Sequence, residues 1–257
     1  MSSFINTLNN KQKSYIKDIV IEANKVGITN PYIIASILAV VSKESGFNPQ
    51  NEISYKNTPI SRIKKVFGAW RTSNKYSDAE LETLKKNDYD FYEAMYGIHT
   101  NKVLGLGQEK IGDGYLFRGR GFNGLTGRGG YKKYSKIIGI DIESNPELVN
   151  RIDIALKILL AYFKNRIEAN KLNLNNLGTE KNTLDTIYKF NAGGSLTKPI
   201  IDTTGGYNKA VSRYPEFKEY IINNYKELLI VPKKKNNIVL LITLSVIGYY
   251  IYKKYTS

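Results

Sequence analysis

A glycine-dense stretch in the middle of the chain limits what this part of the fold can be. Six of the twelve residues 119–130 are glycine. Glycine weakens helices and strands because it loses much backbone freedom on folding, but it permits left-handed turns and lets a ligand approach the backbone closely. We therefore predict a compact turn that lines a cleft, with a short β-hairpin over residues 115–125.

The same stretch contains a formal dinucleotide-binding fingerprint, Gly-x-Gly-x-x-Gly, at residues 119–124. That motif requires a preceding strand and a following helix. Residues 125–130 are too rich in glycine to predict a helix, so nucleotide binding is not expected. The chain has no cysteine, and its single histidine, His99, cannot form a zinc site alone. We predict no metal and no cofactor.

Upstream, the sequence predicts a short helix that carries a carboxylate near its end. Asn30 suits the N-cap, Pro31 the first helical position, and Gly46 a left-handed helix end. The residues three, four and seven positions before Glu44 are apolar, which places Glu44 on the face predicted to meet the core. Burial of this carboxyl would favour the protonated form that a general acid needs.

A second carboxylate, Glu52, follows in a segment rich in asparagine and proline, which predicts a polar loop where it stays ionised. Glycoside hydrolysis needs two such carboxyl groups, one to protonate the leaving oxygen and one to activate water. Glu44 is the predicted proton donor and Glu52 the predicted base. Lys43 is expected to point away from Glu44. The alternative is that Glu44 forms an ion pair and Glu52 is an ordinary surface acid.

The rest of the chain indicates a mainly α fold. Strand signals are sparse, and 42% hydrophobic residues are enough to bury a core. Apolar periodicity and capping signals predict further helices over residues 15–26, 77–87, 146–169, 183–190 and 215–229.

From about residue 31 to 216 the chain resembles glycoside hydrolase family 19, whose chitinase-like, lysozyme-like fold is also found in phage and bacterial peptidoglycan hydrolases. The matching blocks, in the family's order, are residues 44–47 with Glu52 and 54–55, residues 91–97, residues 112–128, residues 145–149 and residues 190–194. The resemblance implies a mainly α domain with a small β-hairpin at the cleft. It places Glu44 on the family's catalytic acid and Glu52 on its base.

The resemblance also implies residues that contact substrate or water. Thr126 falls on the Ser or Thr that helps to hold the nucleophilic water, Asn191 and Arg213 on polar residues of the sugar cleft, and Tyr131 on an aromatic of the same wall. The family inverts anomeric configuration, which calls for carboxyl groups roughly 6.5 to 9.5 Å apart.

Three positions depart from the family pattern. Gly124 stands where the family has Gln, Gly130 where it has Asn, and Lys43 where it commonly has His. The two glycines remove amides that would bond substrate or water. Reduced activity, an altered substrate or a purely glycan-binding role would follow from that loss.

The chain is strongly basic, with a formal charge of +15. Such proteins are attracted to anionic cell-wall polymers, acidic lipids and nucleic acid. A nucleic-acid binder would show steep salt dependence that ignores the two glutamates. Nothing beyond charge and tyrosine content supports it, and no specific nucleic acid is predicted. Without cysteine, the chain gives no reason to require an oxidising compartment.

The C-terminal segment predicts a membrane anchor. Residues 238–252 are uncharged, lie between lysines and end in several tyrosines. As a helix the 15 residues would span about 22 Å, short of the ~30 Å hydrocarbon core, and snorkelling lysines would cover part of the deficit. The alternative is a terminal helix packed on the enzyme or on another subunit. Lysines at both ends leave the orientation open.

These features predict a hydrolase domain over residues 1–230, a basic linker over 231–237, an anchor over 238–252 and a basic tail over 253–257. No secretory signal is predicted at the N-terminus. The predicted function is a membrane-anchored peptidoglycan hydrolase of phage origin, in a virion membrane or at the host inner membrane. Its predicted partners are peptidoglycan glycan strands and a lipid bilayer. Chitinase and weakened glycan-binding protein are the alternatives; oligomeric state and host stay open.

Overall fold

The structure is a computed structural model that describes residues 3–173, 180–192 and 205–229. Within these ranges the chain forms helices joined by loops, with one isolated β-bridge and no strand. The mainly α prediction is therefore confirmed. The α-helices are α1 (Asn10–Lys25), α2 (Pro31–Glu44), α3 (Ile60–Phe67), α4 (Asp78–Leu84), α5 (Asp88–Tyr96), α6 (Asn101–Leu104), α7 (Asp113–Leu116), α8 (Arg128–Ile138), α9 (Ile152–Ala169), α10 (Glu180–Asn191) and α11 (Gly206–Asn224). The 3-10 helices are Phe4–Thr7, Ile98–Thr100, Pro146–Asn150 and Lys226–Leu228.

Helix α2 forms the centre of the fold and ends at the cleft. Its start is as predicted, since the Asn30 side chain accepts a hydrogen bond from the Tyr32 N–H at 2.8 Å and Pro31 opens the helix. Its end is also as predicted, because Gly46 is left-handed with φ of 57°. Every residue from 33 to 42 is buried, and the helix packs against α10 and α11.

Other helix boundaries agree with the prediction where local sequence sets them and differ where tertiary packing does. The capping box of Ser77 and Glu80 opens α4 as predicted. The predicted run over residues 146–169 is divided at Arg151 into a 3-10 helix and α9. Helix α11 begins at Gly206 and contains Pro215, where we had predicted the helix to start. Its buried positions continue on both sides of the proline, so tertiary packing offsets the backbone hydrogen bond that proline cannot make.

The glycine-dense stretch corrects two predictions. The hairpin predicted over residues 115–125 is reduced to the isolated bridge between Arg120 and Leu125, because Gly121 and Gly124 turn the chain with φ of 78° and 66°. Residues 115 and 116 belong to α7. The second correction is that a helix, α8, does follow the glycines.

Close packing explains why α8 tolerates its glycines. A Cβ on Gly127, the residue before the helix, would lie 2.6 Å from the Leu106 carbonyl oxygen, and one on Gly129 would lie 3.2 Å from it. The glycines thus let the loop around residue 106 touch the start of α8. Buried Tyr131 and Tyr134 then anchor the helix from its other face, and packing overrides the low helix propensity of glycine.

Three apolar clusters surround the cleft region. The largest joins α1, α2, α9, α10 and α11. A second, rich in aromatic rings, brings together α3, α4 and α5 around Phe67, Phe91 and Tyr92. The third lies between α8 and α9, around Phe117 and Tyr131. The loop that carries Glu52 and the glycine-dense stretch both run where these clusters meet.

No helix in the described ranges has the length and apolar character needed to cross a bilayer. The predicted linker, anchor and tail over residues 231–257 lie outside those ranges. The domain boundaries therefore stay predictions.

Candidate active site

A cleft of about 410 Å³ opens at the C-terminal end of α2, a volume in the range typical of ligand sites. Both predicted catalytic glutamates line it. The cleft is built from the end of α2, the loop after it, Tyr96 of α5 and the glycine-dense stretch. The lining residues are Glu44, Ser45, Gln50, Asn51, Glu52, Ile53, Tyr55, Tyr96, Gly119, Gly121, Phe122, Asn123, Gly124 and Thr126.

Glu52 is held by three hydrogen bonds. Its Oε1 accepts from the Tyr96 hydroxyl at 3.1 Å and from the Tyr55 hydroxyl at 3.3 Å. Its Oε2 accepts from the Gly119 N–H at 3.2 Å, and the Glu52 N–H donates to the Gly119 carbonyl at 2.7 Å. The loop is thus tied to the glycine-dense stretch, and the carboxylate has a fixed orientation.

The electrostatic setting of Glu52 differs from the prediction. Burial raises the pKa of Glu52, and the hydrogen bonds from Tyr96, Gly119 and Tyr55 and the charge of Arg71 offset only part of that rise. We had predicted a solvated carboxylate in a polar loop, which was wrong. The reason is tertiary, since the loop folds down onto the glycine-dense stretch and the aromatic cluster of α5.

Glu44 is also in a different setting from the one predicted. Its side chain retains 28% of its accessible surface, so it is not desolvated against the core. Its Oε1 meets the Lys43 ammonium at 2.7 Å and accepts from the Asn191 Nδ2 at 2.8 Å. The prediction that Lys43 points away was therefore wrong. Glu44 is the last residue of α2, beyond the buried part of the helix. The side chain of Lys43 packs against Gly206, the first residue of α11.

Thr126 lies beside Glu52, as the resemblance implies for a residue that holds water. A Cβ on Gly119 would be 3.0 Å from Glu52 Oε2 and 3.4 Å from Thr126 Oγ1, so the two groups flank this glycine. The Thr126 hydroxyl donates to the Gly124 carbonyl at 2.9 Å. The hydroxyl oxygen can therefore still accept a hydrogen bond from a water, and glycine at 119 leaves space next to both groups.

Three predicted cleft residues are absent from the cleft lining: Asn191 still reaches Glu44, whereas Tyr131 and Arg213 lie elsewhere. Tyr131 is fully buried, with its hydroxyl donating to the Arg118 carbonyl and accepting from Arg120, each at 3.0 Å. Arg213 donates to the Ser42 carbonyl at 2.9 Å and joins α11 to α2. Neither belongs to the described lining of the cleft. Tyr131 supports the site from the core, and half-buried Arg213 supports it through the contact between α11 and α2.

The cleft contains amides that the sequence reasoning had not assigned. Gln50 and Asn51 line it between the two glutamates, and Asn123 lines it beside Gly124. Asn123 therefore brings an amide to the cleft next to the position where the family's Gln is missing, whereas Tyr131, next to Gly130, is buried. The position of Gln50 and Asn51 between the catalytic candidates was the sequence signal that could have identified them.

A buried arginine that we had not singled out holds the glycine-dense stretch in place. Arg120 is 1% exposed, and its Nη1 donates to the carbonyls of Leu116 at 2.8 Å and Arg118 at 3.3 Å. Its Nη2 contacts Glu147 Oε1 at 2.5 Å, and its Nε has no hydrogen-bond partner among the residues that the structure describes. In a chain this basic, the sequence predicts that an arginine between two glycines is an ordinary surface charge. Only the tertiary structure identifies the role of Arg120.

Among the described residues, no three histidine or acidic side chains gather in a way that would hold a metal ion. The fingerprint at residues 119–124 is preceded by the short helix α7 rather than by a strand. The site therefore consists of carboxylates, hydroxyls, amides and backbone groups.

No family model matches this chain. The chain is similar to a Haemophilus influenzae protein named glycosyl hydrolase family 19 domain-containing protein, with 29% identity over 155 residues. The aligned part covers 59% of this chain and 71% of that relative. The resemblance of this chain to glycoside hydrolase family 19, first indicated by its motifs, is confirmed by this relative.

Proposed function

We propose that this protein is a glycoside hydrolase that cuts the β-1,4-linked amino-sugar backbone of peptidoglycan in a single inverting step. The observation that carries the proposal is the pair of glutamates, Glu44 and Glu52, in one cleft and in unequal environments. The similarity to a family 19 glycosyl hydrolase domain supports the reaction class.

In the proposed reaction, Glu44 donates its proton to the leaving glycosidic oxygen while Glu52 takes a proton from the attacking water. The water oxygen bonds to the anomeric carbon as the glycosidic bond breaks, so the configuration inverts. Thr126 orients the water beside Glu52, and Asn191 orients Glu44 through its 2.8 Å hydrogen bond. The role of Asn191 follows from its hydrogen bond to Glu44, and that of Thr126 from its place next to Gly119 and Glu52.

The raised pKa of Glu52 suits a base. A carboxylate with a raised pKa accepts a proton more readily, provided that the pH stays above that pKa. Activity should therefore fall as the pH drops through the raised pKa of Glu52, at a higher pH than for an ordinary glutamate. The ion pair with Lys43 opposes the role of Glu44, because Glu44 cannot hold that pair and carry the proton of a general acid at the same time.

The experiment is digestion of purified sacculi by the full chain, with mass spectrometry of the released sugars. Glu44→Gln and Glu52→Gln should each lower the rate by at least ~100-fold. The two roles separate on an aryl glycoside with a good leaving group, which needs no acid, so Glu44→Gln should keep most of its activity there. Added azide should restore turnover to Glu52→Ala by replacing the activated water. The opposite pattern would exchange the roles, and full activity of both Gln variants would refute the mechanism.

There are two alternative functions. The first is hydrolysis of chitin, and comparison of the products from chitin oligosaccharides and from sacculi decides between chitin and peptidoglycan as the substrate. A glycan-binding protein without turnover is favoured by Gly124 and Gly130, which lack the family's amides. Retention on sacculi with no released sugar, in the parent as well as in the glutamate variants, would support that second alternative.

We further propose that residues 238–252 attach the protein to a membrane, in a phage virion or at the host inner membrane. The support is the uncharged sequence between lysines. In liposome flotation, Leu241→Arg with Leu244→Arg should release the full chain, because each central arginine costs about 2.5 to 3.5 kcal/mol in a bilayer. Leu241→Phe with Leu244→Phe is the control and should still float. Equal flotation of both double variants would contradict the anchor.

A further inference from the structure

Arg71 lies in the turn after α3, behind the Glu52 end of the cleft. Its guanidinium carbon is 5.0 Å from the ring centre of Phe67, 5.2 Å from that of Trp70 and 5.7 Å from that of Tyr96. Its Nε donates to the Phe67 carbonyl at 2.8 Å. The side chain is thus fixed among three aromatic rings, an arrangement that favours a planar cation.

Arg71 is half-buried, yet within the described ranges no carboxylate is close enough to form an ion pair with it. A buried charge without a partner is unfavourable, and burial lowers the pKa of Arg71. The rings compensate for part of this cost. The negative charge of Glu52 compensates for a further part, and Tyr96 connects the two groups, since its hydroxyl donates to Glu52 Oε1 at 3.1 Å.

The charged and titratable groups around Glu52 come from several elements. Tyr55 belongs to its own loop and Tyr96 to α5, and both donate hydrogen bonds to it. Glu44 lines the same cleft from α2. Arg71, in the turn after α3, is a positively charged group that acts on Glu52, and its guanidinium carbon lies 5.7 Å from the centre of the Tyr96 ring.

We propose that Arg71 is a positioning residue that holds Tyr96 against Glu52 and, by its charge, keeps this carboxyl ionised down to a lower pH than its burial would otherwise permit. The Arg71 guanidinium lies against Tyr96 and the Tyr96 hydroxyl donates to the carboxylate, so Arg71 acts on both the orientation and the electrostatics of the base. The inference rests on the proposed function only where it names Glu52 as the base.

The test is a carbon-13 NMR titration of the Glu52 carboxyl in the full chain without substrate. Arg71→Met should move the Glu52 midpoint upward by about 0.5 pH unit or more, less than a directly contacting charge would cause. Arg71→Lys should restore most of the parent midpoint because it keeps the charge. Lys75→Met is the matched control: Lys75 also lies over Trp70, at 5.8 Å, and its loss should leave the midpoint unchanged.

A second neutral variant covers the case in which Arg71→Met does not fold. If Arg71→Met does not fold, Arg71→Gln replaces it, since glutamine can still donate to the Phe67 carbonyl without carrying charge. An unchanged Glu52 midpoint in a folded neutral variant, or an equal shift in Lys75→Met, would overturn the proposal.

The pH dependence of kcat/KM provides a second readout. Loss of the charge should move the acidic limb of the Arg71→Met profile upward together with the NMR midpoint, whereas a merely structural role would lower the rate and leave the limb in place. Because the titration needs no substrate, a parent that cleaves no glycan would refute the proposed function but not the effect of Arg71 on Glu52.

Discussion

Lys43 forms an ion pair with the proposed acid, Glu44. The ammonium lies 2.7 Å from Glu44 Oε1, and this pair exists only while Glu44 is a carboxylate, whereas the proposed acid must carry a proton. We predict that Lys43→Met increases hydrolysis of sacculi at pH 7 by up to about fivefold. That figure corresponds to the ~1 kcal/mol at the upper end for a solvent-accessible ion pair. Initial rates of turbidity loss measure it.

Lys25→Met is the control for this substitution. Lys25 forms an exposed pair with Glu22 on α1, so its removal changes the net charge equally without touching the cleft. Its rate should equal that of the parent. A lower rate in Lys43→Met would instead mean that the ammonium contacts substrate or holds Glu44 in position, and it would contradict the opposing role assigned here.

At the scale of elements, the glycine-dense stretch depends on Arg120 because it has almost no hydrogen-bonded secondary structure of its own. The guanidinium ties this stretch to its surroundings, because it donates to the carbonyls of Leu116 and Arg118, which precede the stretch, and to the hydroxyl of Tyr131 from α8. Arg120→Lys cannot reproduce this fork. We predict a loss of about 3 kcal/mol in the free energy of unfolding, as for breaking a buried charged network. Urea unfolding followed by circular dichroism measures it.

Activity should fall with stability in Arg120→Lys, because the same segment presents the Gly119 N–H to Glu52. Arg151→Lys is the matched control, since Arg151 forms an exposed pair with Asp153 and should change the unfolding free energy by less than ~1 kcal/mol. Equal stability of the two variants would show that the buried contacts of Arg120 do not hold the segment.

The elements that the sequence predicted well are those with local start and stop signals. Asn30 with Pro31, and Ser77 with Glu80, satisfy helix N-termini within a few residues, so the chemistry is visible in the sequence. Helix α8 was not predicted because its stability comes from buried tyrosines and from contact with a distant loop. The predicted start of α11 at Pro215 was wrong for the same reason, since tertiary packing allows the helix to continue through the proline.

For the site, motif order predicted which residues come together, but not their surroundings. Glu44, Glu52 and Thr126 line one cleft, and Asn191 reaches Glu44. The burial of Glu52 and the exposure of Glu44 depend on how a loop folds onto an aromatic cluster and where α2 ends. Such contacts between distant parts of the chain produce no recognisable pattern in the sequence. For the same reason Tyr131 and Arg213 were predicted to line the cleft, which they do not.

At the scale of the whole molecule, Glu52 links function to stability. Because burial raises the pKa of Glu52 in the folded state, the charged carboxylate destabilises the fold at neutral pH relative to a neutral group. Glutamine can keep a hydrogen bond to each of the three partners: its carbonyl accepts from the Gly119 N–H, and its amino group donates to the Tyr55 and Tyr96 hydroxyl oxygens, whose own hydrogens must then turn to other acceptors. The inactive Glu52→Gln variant should therefore be more stable than the parent.

We predict a gain of about 1 kcal/mol, which is typical of single stabilising substitutions, or roughly 2 to 4 °C in Tm for a chain of this size. Calorimetry across pH gives the sign: the gain should be complete above the raised pKa of Glu52, decrease as the pH falls through it, and vanish below ~4, where the unfolded carboxyl is also protonated. Glu44→Gln is the control, because its carboxyl is solvent-accessible and ion-paired, and it should show no such gain. A stability gain for Glu52→Gln that did not depend on pH would mean that packing, not the buried charge, is responsible.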